Sequence, residues 1–278
     1  MSATATATPT PTQTLTGRLT PAQLEFFKKQ GYLKFQQPVF PEAKFQALKA
    51  HFEGKLARLP DGIRPEGMDV PHLTDTKLFE WLFADEVLGL VEPILGPDIA
   101  LWSSHFICKP KGDGRRVPWH EDSAYWGTRL TPMEVVTVWL AIDPSTKQNG
   151  CMSVIPGTHS NGYSEYEPVD TAIHVFGSEI KQHQIDASKI TPLELQPNQA
   201  SLHHAKLMHS SEQNFSSIRR CGYTMRYMSA ATKHDNPENR HMIYLARGKD
   251  RAGNHYGDPA KIYEDLARYK EKHSQNGH

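Results

Sequence analysis

Apolar residues follow a helical spacing near the N-terminus and a strand-like spacing further along the chain. The first helix is predicted to begin at Thr20, because Thr20-Pro21-Ala22-Gln23 combines an N-cap residue, a proline in the first turn and a capping-box glutamine. Gly31 is the residue expected to end it. The pattern then predicts a strand and two further helical regions, at 32–35, about 41–59 and about 75–95.

From about residue 99 the pattern changes to short apolar runs separated by turn residues such as Gln148-Asn149-Gly150 and Pro156-Gly157. The runs predict strands at 100–108, 116–120, 134–142, 151–155, 172–176, 191–194, 200–203 and 220–228. Closely spaced strands without helices between them favour an antiparallel sandwich or barrel. We therefore expect a mainly β fold with α: a helical N-terminal layer on a double-stranded β-helix (jelly-roll) core. A last, largely polar helix is predicted at 259–272.

Composition limits the function classes. The chain has 278 residues, of which 31 are basic and 31 acidic, so its formal net charge is zero and a nucleic-acid partner is not expected. The longest apolar runs, such as 135–142, are too short to span a membrane. Three cysteines in no paired spacing argue against a disulfide framework and favour a reducing cytoplasm. Oligomeric state is not predicted.

The N-terminal segment differs from the rest. Residues 1–17 consist largely of Thr, Ala and Pro, have neither a basic region nor an apolar core, and are expected to be a disordered tail rather than a secretory signal. No repeat or linker divides the remainder. We expect one domain over 18–278, with the jelly-roll core starting at about 99.

The sequence Trp119-His120-Glu121-Asp122 is the first candidate for metal chemistry. It follows a predicted strand, in which residues two apart point the same way, so His120 and Asp122 would share a face. A histidine from another strand would complete a two-histidine, one-carboxylate facial triad with open coordination positions. The aromatic residues Tyr125 and Trp126 follow and suggest an enclosed pocket. Spacing alone leaves the second histidine open among His203, His204 and His209.

Three motifs in this order resemble the phytanoyl-CoA dioxygenase family of iron(II)- and 2-oxoglutarate-dependent oxygenases. The motifs are Trp119-His120-Glu121-Asp122, the stretch from Asn149-Gly150-Cys151 through Pro156-Gly157-Thr158-His159, and the stretch from His209-Ser210-Ser211 to Arg220. The similarity extends from the Thr20 helix to about Met228. It implies that iron is held by His120, Asp122 and His209. The Asn149-Gly150 and Pro156-Gly157-Thr158-His159 stretches are typical of turns and are assigned a structural role, so His159 is not expected to be a ligand.

The resemblance also implies how the cosubstrate is held. Arg220, eleven residues after His209, is expected to pair with the distal carboxylate of 2-oxoglutarate, for which a planar guanidinium is well suited. Arg219 is the alternative, and since neighbouring strand residues face opposite ways, only one of the two points inward. Further expected cosubstrate residues are Ser211, His105, Lys109 and Trp139, although Trp139 could equally be a core residue. The turn Pro197-Asn198-Gln199 departs from the family's Pro-Gly-Asp; asparagine tolerates the left-handed conformation, so the turn should be kept.

The implied reaction consumes O₂ and 2-oxoglutarate, releases succinate and CO₂, and hydroxylates an unactivated C–H. Because Asp122 is present, hydroxylation or desaturation is expected rather than halogenation. Tyr125, Trp126 and Arg226 are expected in the substrate pocket. Arg226 shares strand parity with Arg220, and a second inward arginine would favour a small polar, anionic substrate such as an aminophosphonate, amino acid or natural-product intermediate. A surface ion pair is the alternative for Arg226.

Other functions remain open at this point. The same oxygenase chemistry could act on an acyl-CoA or a hydrophobic natural product. A cupin-like isomerase or hydrolase could use the triad with zinc or manganese and would not need Arg220. A jelly-roll binding module without catalysis could keep the pattern by descent.

Overall fold

The protein is described from a computed structural model, which covers residues 19–236 and 241–262. Its α-helices are α1 (Pro21–Gln30), α2 (Glu42–Leu56), α3 (Phe79–Leu82), α4 (Asp85–Leu95) and α5 (Asp122–Trp126). In the first helix the Thr20 hydroxyl accepts from the Gln23 amide, the Gln23 side chain accepts from the Thr20 amide, and Gly31 ends the helix with φ 76°. The predicted capping box is therefore confirmed. No helix in these ranges is long and apolar enough to cross a membrane.

The strands are mostly short and pair antiparallel. They are β1 (Tyr32–Phe35), β2 (Met68–Asp69), β3 (Ile99–Lys109), β4 (Val117–His120), β5 (Leu130–Thr131), β6 (Val135–Ala141), β7 (Met152–Val154), β8 (Tyr166–Pro168), β9 (Ser178–Ile180), β10 (Thr191–Pro192), β11 (Ala200–His204), β12 (His209–Ser211), β13 (Arg220–Ser229), β14 (Lys233–His234) and β15 (Tyr244–Arg247).

Two sheets form the core. The large sheet has seven strands in the order β1-β11-β6-β13-β3-β15, with β2 also paired to β3, and the small sheet has the order β10-β7-β12-β4. Trp139 and Ala141 from the large sheet pack against Met152 and Val154 from the small one, so the sheets face each other as a sandwich. The predicted mainly β, jelly-roll fold is confirmed, and the barrel alternative is wrong.

The N-terminal helices cover the outer face of the large sheet. Phe52 of α2 lies 5.0 Å, centroid to centroid, from Phe106 of β3, and Phe106 stacks on Tyr223 of β13 at 4.1 Å. Leu48 and Leu90, from α2 and α4, are fully buried in the same cluster. Both faces of β3, β6 and β13 are thus covered, which is why their residues are almost uniformly buried rather than alternating.

Several predicted elements differ. The helix expected at 75–95 is broken because Ala84 is extended (ψ 136°), so α4 begins anew at Asp85. Residues 172–176 are not a strand: Asp170 accepts hydrogen bonds from Ala172 and His174 and holds a turn. Apart from β7 and β10, the strands of two or three residues show no hydrophobic pattern in the sequence that would predict them. Most of the helix expected at 259–272 lies outside the described residues, and so does the N-terminal tail expected at 1–17.

The unusual turn before β11 is kept as expected. Asn198 has φ 66°, a left-handed conformation that asparagine tolerates. Its side chain also accepts from the Phe40 amide (2.9 Å) and donates to the Phe40 carbonyl (2.7 Å), which fixes the chain entering α2.

Packing between the sheets predicts the effect of one substitution. A Cβ added at Gly222 would lie 2.1 Å from the Trp139 ring, whereas one at Gly67 would meet no atom within 4 Å. Gly222→Ala should therefore lower the free energy of unfolding by about 1–3 kcal/mol, and Gly67→Ala should leave it nearly unchanged. Urea unfolding measures both. An equal loss for Gly222→Ala in a Trp139→Leu background would contradict the steric cause.

Candidate active site

Three side chains that can hold a metal meet between the sheets. His120 ends β4 and His209 begins β12, and the two residues are direct partners in the small sheet. Asp122 is the first residue of α5. One potential ligand atom from each lies within 4.8 Å of the others, and all three residues are buried.

His120 and Asp122 point to the same side, as expected, although Asp122 lies beyond the end of the strand. The strand ends at His120, but Glu121 keeps an extended backbone (φ −114°, ψ 131°), so alternation continues for one more residue. The Glu121 side chain points away and accepts a hydrogen bond from the Ser164 hydroxyl at 2.7 Å.

The backbone fixes the orientation of both imidazole rings. His120 Nδ1 lies 2.8 Å from the Pro118 carbonyl, and His209 Nδ1 lies 2.9 Å from the Leu207 carbonyl. A carbonyl only accepts, so each Nδ1 carries the proton and each Nε2 is left with its lone pair. Burial lowers the pKa of His120 and lowers that of His209 well below its usual range, so both rings are neutral, as metal ligands must be.

The Asp122 carboxylate is ionised despite its burial. Desolvation opposes ionisation, but the positive charge of Arg226 outweighs it and holds the pKa of Asp122 well below its usual range. Oδ1 lies 3.9 Å from His120 Nε2, whereas Oδ2 accepts from Arg226 Nε (3.2 Å) and the Thr137 hydroxyl (3.3 Å).

The other candidate histidines are not part of this group of possible metal ligands. His204 Nδ1 accepts a hydrogen bond from the Lys206 amide, so this ring nitrogen stabilises a local turn. His203 is buried beside the triad, with its ring 4.7 Å from that of His209 and Nε2 3.7 Å from Asp122 Oδ2. His159 contacts the Lys28 carbonyl at the end of α1. It is not part of the group of His120, Asp122 and His209 that could hold a metal.

Arg219, which precedes β13, and Arg220, its first residue, face opposite ways. Arg219 forms ion pairs with Glu53 of α2 and with Asp143 on the outer side of the sheet. Arg220 is 1% exposed and points between the sheets, where Nη2 donates to the Ser211 hydroxyl at 3.2 Å and the guanidinium lies 5.3 Å from the centre of the Trp139 ring. Trp139 therefore both packs in the core and lines the space into which Arg220 points.

A second cation is buried close by. Lys109 has no exposed surface and donates from Nζ to the carbonyls of Ser211 and Glu212. Burial, followed by the charge of Arg220, lowers its pKa well below the usual range. His105 precedes Lys109 by four residues on the same face of β3, and its Nε2 lies 2.8 Å from the Glu66 carbonyl.

Two connected spaces lie beside the triad. A chamber of about 50 Å³ is lined by His120, His209, Ser211, Arg220 and Trp139, and a cavity of about 550 Å³ by Tyr125, Trp126, Trp102, Arg129 and His241. His105, Asp122, Phe176 and Arg226 line both. Sequence reasoning did not find Trp102, Thr137, Arg129 or Phe176, since none of them stands in a motif.

The model of the phytanoyl-CoA dioxygenase (PhyH) family matches residues 27–222. The chain belongs to this family. A family relative, human peroxisomal phytanoyl-CoA dioxygenase, is 25% identical over 223 residues, which cover 70% of this chain and 64% of the relative. A Stutzerimonas stutzeri protein, named as a probable alpha-ketoglutarate-dependent hypophosphite dioxygenase, is 26% identical over 162 residues, covering 58% of this chain and 56% of that protein.

Solved structures agree on the fold. The apo structure of ThoJ, a non-heme monooxygenase, superimposes with a TM-score of 0.72 at 22% identity and covers 91% of this chain and 98% of its own. At that identity the likeness shows a shared fold alone. The chain spans less than two thirds of the length of the two curated relatives.

The neutral histidines give a prediction for metal affinity. Ligands whose pKa values lie below the usual range need not lose protons on binding, so Co²⁺ affinity should fall only about twofold or less between pH about 7.5 and about 6.0. Two histidines with ordinary pKa values near 6.5 would instead cost more than about tenfold. Competition against a chelator of known affinity at each pH measures this, and a tenfold loss would contradict the lowered pKa values of the two histidines.

Proposed function

We propose that this chain is an iron(II)- and 2-oxoglutarate-dependent dioxygenase that hydroxylates an unactivated C–H of a small molecule. Two imidazole nitrogens and one carboxylate oxygen, held by His120, His209 and Asp122, are the donor set preferred by non-haem iron(II) in oxygenases. Family membership supports the assignment. The observation that carries it furthest is the buried Arg220 beside this donor set.

Arg220 is a buried charge that requires an anion. Burial lowers its pKa to about 10, its Nε has no hydrogen-bond partner, and none of the carboxylates in residues 19–236 and 241–262 forms an ion pair with it. An uncompensated buried guanidinium is costly, and a carboxylate is its best-matched partner. Ser211 and Arg220 would thus hold the distal carboxylate of 2-oxoglutarate, with Lys109 adding positive charge and Trp139 closing the chamber.

When bound, iron and 2-oxoglutarate would supply the oxidation, with O₂ consumed and succinate and CO₂ released. The protein's own residues would place the reactants. His120, His209 and Asp122 present their donors from one side, Arg220 orients the cosubstrate, and Phe176, whose ring lies 5.0 Å from that of His120, limits access of water. Asp122 occupies the position that a halogenase would leave free for halide, so hydroxylation is the proposed outcome.

The larger cavity supports a small anionic substrate with an apolar portion. The guanidinium of Arg129 lies 5.5 Å from the centre of the Trp102 ring, and that of Arg226 lies 5.8 Å from the centre of the Trp126 ring. Among the described residues, Arg129 donates only to the backbone carbonyls of Tyr125 and Trp126. Its charge is available to a carboxylate, phosphonate or phosphate. Arg226 lines the cavity rather than the surface, although part of its hydrogen bonding is taken up by Asp122.

A non-redox, cupin-like metalloenzyme is the second candidate. The triad alone would serve a zinc or manganese isomerase or hydrolase equally well. Such an enzyme gives no reason to bury Arg220 and Lys109 beside the metal site without a carboxylate partner, so the chamber favours the oxygenase.

Replacing Arg220 tests the cosubstrate assignment. Arg220→Ala should weaken 2-oxoglutarate binding to the Fe²⁺-loaded protein by about 100-fold or more, because a charge-assisted pair of hydrogen bonds is lost. Metal affinity should change little. Anaerobic titration with 2-oxoglutarate, followed by the metal-to-ligand absorption band, gives the affinity for 2-oxoglutarate, and a separate competition titration with a chelator gives the metal affinity.

Arg219→Ala is the matched control, since its side chain lies on the outer side of the sheet. It should retain the wild-type affinity for 2-oxoglutarate. Absence of the absorption band in the wild-type protein, or equal effects of the two substitutions, would contradict the assignment.

The cavity also predicts substrate preference. Among small molecules, those with a carboxylate, phosphonate or phosphate should stimulate release of CO₂ from 2-oxoglutarate most strongly, because Arg129 and Arg226 offer cations there. A panel of anionic compounds, their neutral amides or esters, and acyl-CoA thioesters would measure this. Stimulation by the neutral compounds alone would contradict the anionic class, and stimulation by acyl-CoA alone would contradict a small substrate.

A further inference from the structure

The two oxygens of Asp122 have different surroundings. Oδ1 faces His120 and carries no hydrogen bond from the described residues, so it is free to bind a metal. Oδ2 accepts from Arg226 Nε at 3.2 Å and from the Thr137 hydroxyl at 3.3 Å. His203 Nε2 lies 3.7 Å from the same oxygen.

These three side chains form one row across the large sheet, which we call the donor row. Thr137 of β6 is the register partner of His203 on β11 and of Arg226 on β13. Side chains at paired positions of neighbouring strands stand side by side on one face. The sheet itself therefore brings two hydrogen-bond donors to a single carboxylate oxygen and places the His203 ring 3.7 Å from it.

The members of the row have few other partners. Thr137 and His203 are 0% and 2% exposed, and neither ring nitrogen of His203 forms a hydrogen bond within residues 19–236 and 241–262. Arg226 is held by a second hydrogen bond, from Nη1 to the Thr224 hydroxyl at 3.2 Å, with its guanidinium over Trp126. Polar groups so deeply buried are normally satisfied, and Asp122 Oδ2 is the acceptor that Arg226 and Thr137 share.

The geometry points to a positioning role: the donor row, through the hydrogen bonds of Arg226 and Thr137, occupies Oδ2 and so restricts Asp122 to binding metal through Oδ1 alone. This inference rests on the proposed function, since it concerns the same metal site. A carboxylate using both oxygens would fill one of the positions that a facial triad leaves open for cosubstrate and O₂. Holding Oδ2 keeps those positions open and fixes the carboxylate before metal arrives.

Two substitutions remove donors without removing charge. Thr137→Val replaces a hydroxyl with a methyl group of similar size. Arg226→Lys keeps the positive charge but puts a methylene carbon where Nε stands in arginine, so the donation from that point is lost. Each should weaken Co²⁺ binding by roughly 10-fold, the lower end of the usual effect of losing a hydrogen bond to a metal ligand. Because both act on one oxygen, the double variant should not show the product of the two effects.

Arg129→Lys is the matched control, because Arg129 lines the same cavity and does not contact Asp122. Its Co²⁺ affinity and visible Co²⁺ spectrum should be those of the wild type, whereas the spectra of Thr137→Val and Arg226→Lys should change as the carboxylate reorients. Competition titration and absorption spectroscopy provide the readouts without turnover, and circular dichroism checks the fold of each variant.

Asp122→Ala distinguishes the proposed metal site from the positioning role of the donor row. If Asp122→Ala binds Co²⁺ as the wild type does, the metal site of the proposed function is wrong. If Asp122→Ala loses binding while folded Thr137→Val or folded Arg226→Lys keeps wild-type affinity and spectrum, the metal site stands and the positioning role is overturned. Thr137→Val alone suffices should Arg226→Lys fail to fold, since Thr137 does not line either cavity.

Discussion

The two sheets enclose charged side chains in the buried layer between them, and each of these charges needs a partner there. Asp122 has Arg226 and Thr137, while Lys109 has backbone carbonyls. Arg220 has only the Ser211 hydroxyl and the face of Trp139 within the described residues. Charges left with incomplete partners inside a protein are costly unless a ligand completes them. This imbalance gives the chamber its preference for an anion.

Rigid backbone contacts prepare the histidines for their proposed role. In both His120 and His209 the Nδ1 atom bonds to the carbonyl two residues earlier in the chain. The contact is local, so it forms as soon as the strand forms, and it sets the tautomer and the ring plane together. The antiparallel register of β4 and β12 then places the two prepared rings opposite each other.

The helical layer supports the site from behind the large sheet. Arg219 is tied to Glu53 of α2 and to Asp143, and this outward attachment directs the next residue, Arg220, inward. A register slip of one residue would exchange the two. Packing of Phe52 on Phe106 holds α2 against the same sheet. The outer layer therefore contributes to the placement of an inner residue that it never touches.

The sequence alone determined the features that depend on neighbouring residues. The Thr20 capping box, the strands rich in apolar residues and the left-handed turn at Asn198 follow from local chemistry, and each is confirmed. The alternation that orients His120 with Asp122 and separates Arg219 from Arg220 is also local. The resemblance to a family pointed to His209 among the three histidines, a choice that spacing left open.

Tertiary structure alone decided how distant residues combine. Thr137, Trp102 and Arg129 carry no motif, because their surroundings come from strands and loops far apart in the chain. Arg226 was expected to face a substrate, and parity correctly turned it inward, but only the pairing of β11, β6 and β13 places it against Asp122. Register between strands depends on the whole core packing at once, so the sequence could give the face of each residue and not its partner across the sheet.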